Sequence, residues 1–193
     1  MFANSTYENL SGTNVYWDFV ELPSQIMEHW AVEPEVLKLY AKHYETREVI
    51  PDELITKIQN QGTFNQGFMT TELLAAALLD MELHNLTDTE NLNVVAFEKE
   101  TMDKLGLIPE IAPRYRATYF SHIIGGYAAG YYSYLWAEVL DTDAFEAFKE
   151  HGVFDKNTAD SFRKNILEKG GTEDPMTLYR GFRGADPSLE PLL

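Results

Sequence analysis

A chain of 193 residues with 45% hydrophobic side chains is long enough to bury a core and, on length, predicts a single domain over 1–193. Its 31 acidic residues against 15 basic ones leave a formal charge of -16, which repels phosphate backbones and anionic membranes and excludes nucleic acid as a natural partner. With no cysteine, disulfides and thiolate chemistry are excluded, and any metal site must use His, Asp or Glu. The longest apolar run, Leu73 to Leu79, is too short to span a bilayer, and the N-terminus has neither the basic nor the apolar region of a signal peptide. The reading is therefore a soluble, cytoplasmic protein with no membrane partner; an export signal on a longer parent chain would not be seen.

Residues 1 to 16 read as loop or a short strand, because the segment is rich in Asn, Ser, Thr, Gly and Tyr and has no sustained period. From Asp18 the pattern turns helical. Phe19, Leu22, Ile26, Met27 and Trp30 form one face, while Glu21, Ser24, Gln25 and Glu28 share another, with Pro23 at the first turn or at a bend. Pro34 and Pro51 precede acidic residues and the periodic runs Val36 to Tyr44 and Leu54 to Ile58, the pattern of helices with proline at the first position. Leu73 to Met81 is apolar nearly all round and predicts a buried core helix. Asn91 to Leu105 is amphipathic, with Asn91 or Asn93 as cap and Gly106 as its end. After a connection with two prolines and the tyrosine-rich stretch, Asp143 is expected to cap Ala144 to His151. Asp155 or Thr158 begins a helix ending near Gly170-Gly171, and Asp174-Pro175 precedes Met176 to Phe182. Gly184 to Leu193 reads as a tail, no internal repeat is seen, and the class is all-α.

The stretch from Tyr119 to Trp136 holds one histidine, three glycines and five tyrosines. A phenol donates a hydrogen bond without carrying charge, so tyrosines behind a glycine-rich turn can be aimed at one carbonyl or oxyanion; His122, Tyr127 and Tyr134 are the expected donors. Gly125-Gly126 would permit positive φ. Tyr127, Tyr131 and Tyr134, spaced by four and three, would share one face of a helix. The competing reading is a tyrosine-rich helix packed in a core.

Tyr16-Trp17-Asp18-Phe19-Val20-Glu21-Leu22-Pro23-Ser24-Gln25-Ile26-Met27-Glu28-His29-Trp30 resembles the thimet oligopeptidase and peptidyl-dipeptidase family of zinc metallopeptidases. So do Pro113-Arg114-Tyr115-Arg116, the Gly-Tyr stretch, and Tyr179-Arg180-Gly181-Phe182-Arg183-Gly184. Ala128 to Trp136 is more similar to the bacterial peptidyl-dipeptidase branch. The resemblance covers essentially the whole chain and implies the C-terminal part of a zincin-like, multi-helix catalytic domain that releases C-terminal dipeptides from oligopeptides. By the same resemblance Glu21 is a zinc ligand, and Ser24, Gln25 and Glu28 orient the histidine ligands. His122, Tyr127 and Tyr134 bind substrate and stabilise the transition state, and Tyr131, Arg114 and Arg116 are candidates for the substrate's carboxylate end.

One departure qualifies these expectations. The family's H-E-x-x-H helix, which supplies two zinc ligands and the general base, does not occur, since no two of His29, His43, His84, His122 and His151 are four apart. The chain is thus expected to be a C-terminal fragment with an incomplete zinc site, inactive alone. Its partners would be an oligopeptide, the N-terminal part of the peptidase, and a second copy through an exposed apolar truncation surface. The alternatives are a non-catalytic helical peptide-binding or interaction module, or one half of a split peptidase. Of the remaining histidines, His84 beside Glu82 is a weak ligand candidate, because residues two apart on a helix point to different faces; His29 and His43 read as surface or packing residues and His151 as a helix C-terminal residue.

Overall fold

The computed structural model describes residues 2–193. Among them the structure is helical, with no strand beyond one isolated antiparallel bridge between Lys42 and Val49, which bears out the all-α class. No helix among the described residues is long and apolar enough to cross a membrane. The helices are α1 (Trp17–Val20), α2 (Leu22–Val32), α3 (Pro34–Tyr40), α4 (Asp52–Gln61), α5 (Gln66–His84), α6 (Val94–Leu105), α7 (Ser133–His151), α8 (Lys156–Phe162) and α9 (Pro175–Arg183). They fall into two compact units: the described residues up to Gly62 together with Trp136–Leu193, and Thr63–Leu135.

In the first unit, Phe19, Leu22 and Ile26 from α1 and α2 are buried with Leu140, Phe145 and Phe148 from α7, Phe162 and Ile166, and Leu178 and Tyr179 from α9. Trp30 stands edge-on to Phe145 and Phe148, each 4.7 Å away between ring centres, and its indole N–H donates to the Val153 carbonyl at 2.8 Å. Helix ends follow local chemistry. The side chains of Asp155 and Asp174 cap α8 and α9 by accepting backbone N–H groups of Thr158 and of Met176 and Thr177, and Pro34 opens α3. Two expectations need correction. The helix after Pro34 stops at Tyr40 rather than Tyr44, because Ala41 turns extended and the chain folds back, with the His43 N–H on the Glu48 carbonyl at 2.8 Å. Asp143 is not a cap: α7 runs through it, and its buried carboxylate accepts the Tyr179 hydroxyl at 2.5 Å.

The N-terminal segment of this unit is a loop with one 3-10 turn, Glu8–Leu10. It is fastened by backbone: the Asn4 N–H donates to the Glu168 carbonyl and the Gly171 N–H to the Leu10 carbonyl, both at 2.9 Å. Gly170 and Gly171 make that approach possible, since a Cβ on either would lie 2.3 Å from a backbone oxygen, of Leu10 and Asn14 respectively.

In the second unit, α5 buries Ala75, Ala76, Ala77, Leu79 and Asp80 but leaves Leu74, Leu78 and Met81 exposed on another face. The expected core helix is therefore buried on one side only, the small alanines allowing close packing there. Of the two caps the sequence offers, Asn93 is the one that caps α6, through the Ala96 N–H, and Gly106 closes the helix at φ 65 as expected.

Candidate functional site

The tyrosine-rich stretch of the second unit is not helical until Ser133. It consists of two 3-10 turns, Ala117–Tyr119 and Ser121–Ile124, followed by successive turns: Ala128 N–H to Gly125 carbonyl (3.2 Å), Gly130 to Tyr127 (2.9 Å) and Ser133 to Gly130 (3.0 Å). This corrects the predicted helix face, because of the three tyrosines only Tyr134 lies in α7. Positive φ is also displaced from where the glycines suggest it, since Gly125 has φ -132 and Ala129 takes φ 52.

The turns nonetheless gather the predicted residues. Tyr127 and Tyr134 stack with ring centres 5.2 Å apart and planes 11° from parallel, and Tyr131 stands edge-on to Tyr134 at 5.2 Å. His122 lies among them, 5.3 Å from Tyr131, 5.9 Å from Tyr127 and 6.1 Å from Tyr134. Two residues that sequence reasoning missed complete the cluster: Tyr115, 5.3 Å from His122, and buried Phe120, 4.8 Å from Tyr131. Tyr131 is buried, and burial pushes its phenol up to about 12 while Arg114 works against that rise and the hydrogen-bonded Tyr115 adds to it. Tyr131 thus stays neutral at any physiological pH. His122 and Tyr134 are half-buried, and the His122 Nδ1 is enclosed with no hydrogen-bond partner among the described residues.

Two buried carboxylates hold this irregular backbone. Asp80 on α5 accepts the Ala129 N–H at 3.0 Å and the Tyr131 N–H at 2.9 Å. His84, one turn along, places Nδ1 2.8 Å from the same carboxylate and 2.9 Å from the Asp80 carbonyl; both are acceptors, so Nδ1 carries a proton. Glu98 on α6 accepts the Ala117 N–H at 2.7 Å and the Arg116 guanidinium at 2.6 Å. Arg116 is therefore partly committed to structure, and the pair raises its pKa, first through the hydrogen bond to Glu98 and then through that carboxylate's charge. Arg114 is exposed. Asp80 had a sequence signal, an acid closing the apolar run Leu73 to Leu79; Glu98, inside an ordinary amphipathic pattern, had none.

Glu21, Ser24, Gln25 and Glu28 belong to the first unit. Half-buried Glu21 sits at the junction of α1 and α2, where its carbonyl accepts the Gln25 N–H at 2.9 Å. The Ser24 hydroxyl bonds both the Glu21 carbonyl, at 3.0 Å, and its carboxylate, fixing where that carboxylate points. Glu28 is exposed. Among the described residues no group of three or more His, Asp or Glu side chains could hold a metal, so these residues do not by themselves make a metal centre. His29 is a packing residue in part, stacked on Phe145 at 4.7 Å with Nε2 2.6 Å from buried Asp141. His151 ends α7 with Nδ1 2.8 Å from the Ala147 carbonyl.

The family model described as Peptidase family M3 matches residues 1–193. The chain is 46% identical over 200 residues to the dipeptidyl carboxypeptidase of Escherichia coli K12, and 41% identical over 196 residues to oligopeptidase A of Haemophilus influenzae. Both matches take in 100% of this chain and 29% of the relative. Saccharolysin of Saccharomyces cerevisiae is 32% identical over 93% of the chain. The chain thus spans well under a third of the length of the curated relatives it matches.

Proposed function

We infer the function from one premise, that this chain belongs to peptidase family M3: it is part of a peptidyl-dipeptidase catalytic domain acting on oligopeptides. The higher identity to a dipeptidyl carboxypeptidase than to an oligopeptidase A, 46% against 41%, favours release of dipeptides from C-termini. Family membership implies a metal cofactor; we take it to be zinc, with Glu21 as one ligand, Ser24 holding its carboxylate, and Gln25 and Glu28 orienting histidine ligands. Those histidines and the general base would come from the remainder of such a peptidase, the partner this chain requires. The exposed Leu74, Leu78 and Met81 face supports a covering surface, whether that partner or a second copy.

The observation that carries the substrate role is the convergence of His122, Tyr127 and Tyr134 in one cluster. When a peptide carbonyl becomes tetrahedral its oxygen gains negative charge, and neutral phenol and imidazole donors stabilise that charge more than they stabilise the ground state. Tyr131 backs them from within, and Arg114 is the freer of the two arginines to meet a peptide carboxylate. In the peptidase carrying this sequence, Tyr134→Phe is expected to lower kcat on an oligopeptide about 100-fold with KM nearly unchanged, as for loss of an oxyanion donor. Wild-type kcat in both Tyr134→Phe and Tyr127→Phe would overturn this reading.

A further inference from the structure

We propose that Asp80 is the positioning residue of the aromatic cluster, the group that compels the loop to present His122, Tyr127 and Tyr134 together. The functional meaning of that role rests on the substrate reading above; the physical role does not.

Asp80 is fully buried, and a buried carboxylate persists only when its oxygens are met by donors. Its three donors act together. Two are backbone N–H groups of residues 129 and 131, one on each carboxylate oxygen, on either side of Gly130 in the stretch of chain that joins Tyr127 to Tyr134, whose rings stack on each other. The third is His84, whose partly exposed ring holds the carboxylate from the solvent side. Between the two anchored N–H groups the chain passes through Ala129 at φ 52, a conformation that a residue with a Cβ adopts at a steric cost. The carboxylate therefore selects a backbone that the sequence does not favour, at the point where three tyrosines converge. Geometry also explains why Asp and not Asn stands there: an amide offers one oxygen and one NH2, so one of the two backbone donors would face another donor.

Tyrosine 13Cζ labelling and amide hydrogen exchange on the 193-residue chain test this without any substrate. In Asp80→Asn, exchange at the Ala129 and Tyr131 amides is expected to quicken about tenfold or more. The Tyr131 phenol should fall from about 12 toward the ordinary 10.0. Tyr179, buried in the other unit, should keep its wild-type behaviour, which separates loop release from general unfolding. Ala129→Gly added to Asp80→Asn should recover part of the slow exchange, because glycine adopts φ 52 freely; a merely structural Asp80 would give no such rescue. If Asp80→Asn does not fold, His84→Ala, at a partly exposed side chain, should move the same two amides in the same direction by a smaller factor. Unchanged exchange at both amides in whichever variant folds overturns the proposal. Turnover in the peptidase carrying this sequence separates this from the substrate reading: with both right, Asp80→Asn loses kcat as Tyr134→Phe does, whereas fast-exchanging amides beside a fully active Tyr134→Phe enzyme would overturn the substrate reading and leave the positioning role standing.

Discussion

Two loops of this molecule are equally irregular and are fastened in opposite ways. The N-terminal loop of the first unit lies on Gly170-Gly171, backbone bonded to backbone, and what makes the approach possible is the absence of two Cβ atoms. The loop from Ala117 to Tyr132 in the second unit is held by carboxylates, Glu98 and Asp80, that reach from neighbouring helices to its N–H groups. The first fastening is steric and indifferent to charge. The second is electrostatic, and it places rather than merely closes: a carboxylate with two oxygens fixes two points of a chain, and between those points side chains can be aimed. A loop that only has to be closed can use glycine, whereas a loop that has to present His122 and three tyrosines gains from a two-point hold.

The largest effect should come from breaking the steric fastening. Gly171→Ala sets a methyl group 2.3 Å from the Asn14 carbonyl oxygen, with backbone rather than a flexible side chain in its way, so the loop must lift. A cost of about 3 kcal/mol is expected, as for overpacking at a rigid site. Denaturant unfolding at low and high salt measures it, and the loss should be the same at both. A loss that shrinks or grows markedly with salt would mean that the two fastenings are not different in kind.

Breaking the electrostatic fastening should cost less. Glu98→Gln keeps one acceptor for the Ala117 N–H but removes the charge shared with Arg116, for about 2 kcal/mol. Arg116→Ala should cost less than Glu98→Gln, because that guanidinium is exposed and solvent screens its half of the pair. The order of the two variants in thermal unfolding is the test. If Arg116→Ala costs more, then Glu98 is there for the ion pair and not for the backbone.

How much of this was legible in the sequence follows the same division. The all-α class, the caps at Asn93, Asp155 and Asp174, and the proline-led starts at Pro34 and Pro175 were legible because each is decided by residues within one turn of each other, whereas Pro51, expected at the first helical position, stands one residue before α4. The gathering of His122, Tyr127 and Tyr134 was legible as a cluster but not as a structure: spacings of four and three fit a helix face, and successive tight turns satisfy them equally well. What decides between the two is Asp80, some fifty residues away, and no local pattern reports such a partner. Asp143 fails for the same reason. It reads as a cap because acids often begin helices, but its partner is the Tyr179 hydroxyl, 36 residues on. Carboxylates are thus the residues whose role the sequence conceals most, because one oxygen pair serves a cap, a loop or a side chain alike.

The smallest effect concerns a carboxylate that holds a side chain and no loop. Buried Asp141 meets the His29 ring at 2.6 Å, and burial raises its pKa by more than the histidine lowers it. Glu138 is raised too, first by its own burial and next by the charge of Asp141. For an acid whose folded pKa lies above its unfolded one, the stabilising contribution is fully present below the unfolded value and is lost as pH rises through the folded one. The wild-type chain should therefore lose stability relative to Asp141→Asn as pH climbs from 3.8 upward through the raised value of Asp141. The asparagine oxygen still accepts the His29 N–H, so at neutral pH the two proteins should differ by less than about 1 kcal/mol. Removing the charge also lets the Glu138 carboxyl relax toward its ordinary value, which favours the variant further in the same direction. Unfolding free energies of both chains at about pH 3.5 and about pH 7, on either side of the ordinary carboxylate range, give the slope directly. A wild-type chain that gains on Asp141→Asn with rising pH would mean that the His29 pairing outweighs burial, and that this carboxylate fastens its unit as firmly as Asp80 and Glu98 fasten theirs.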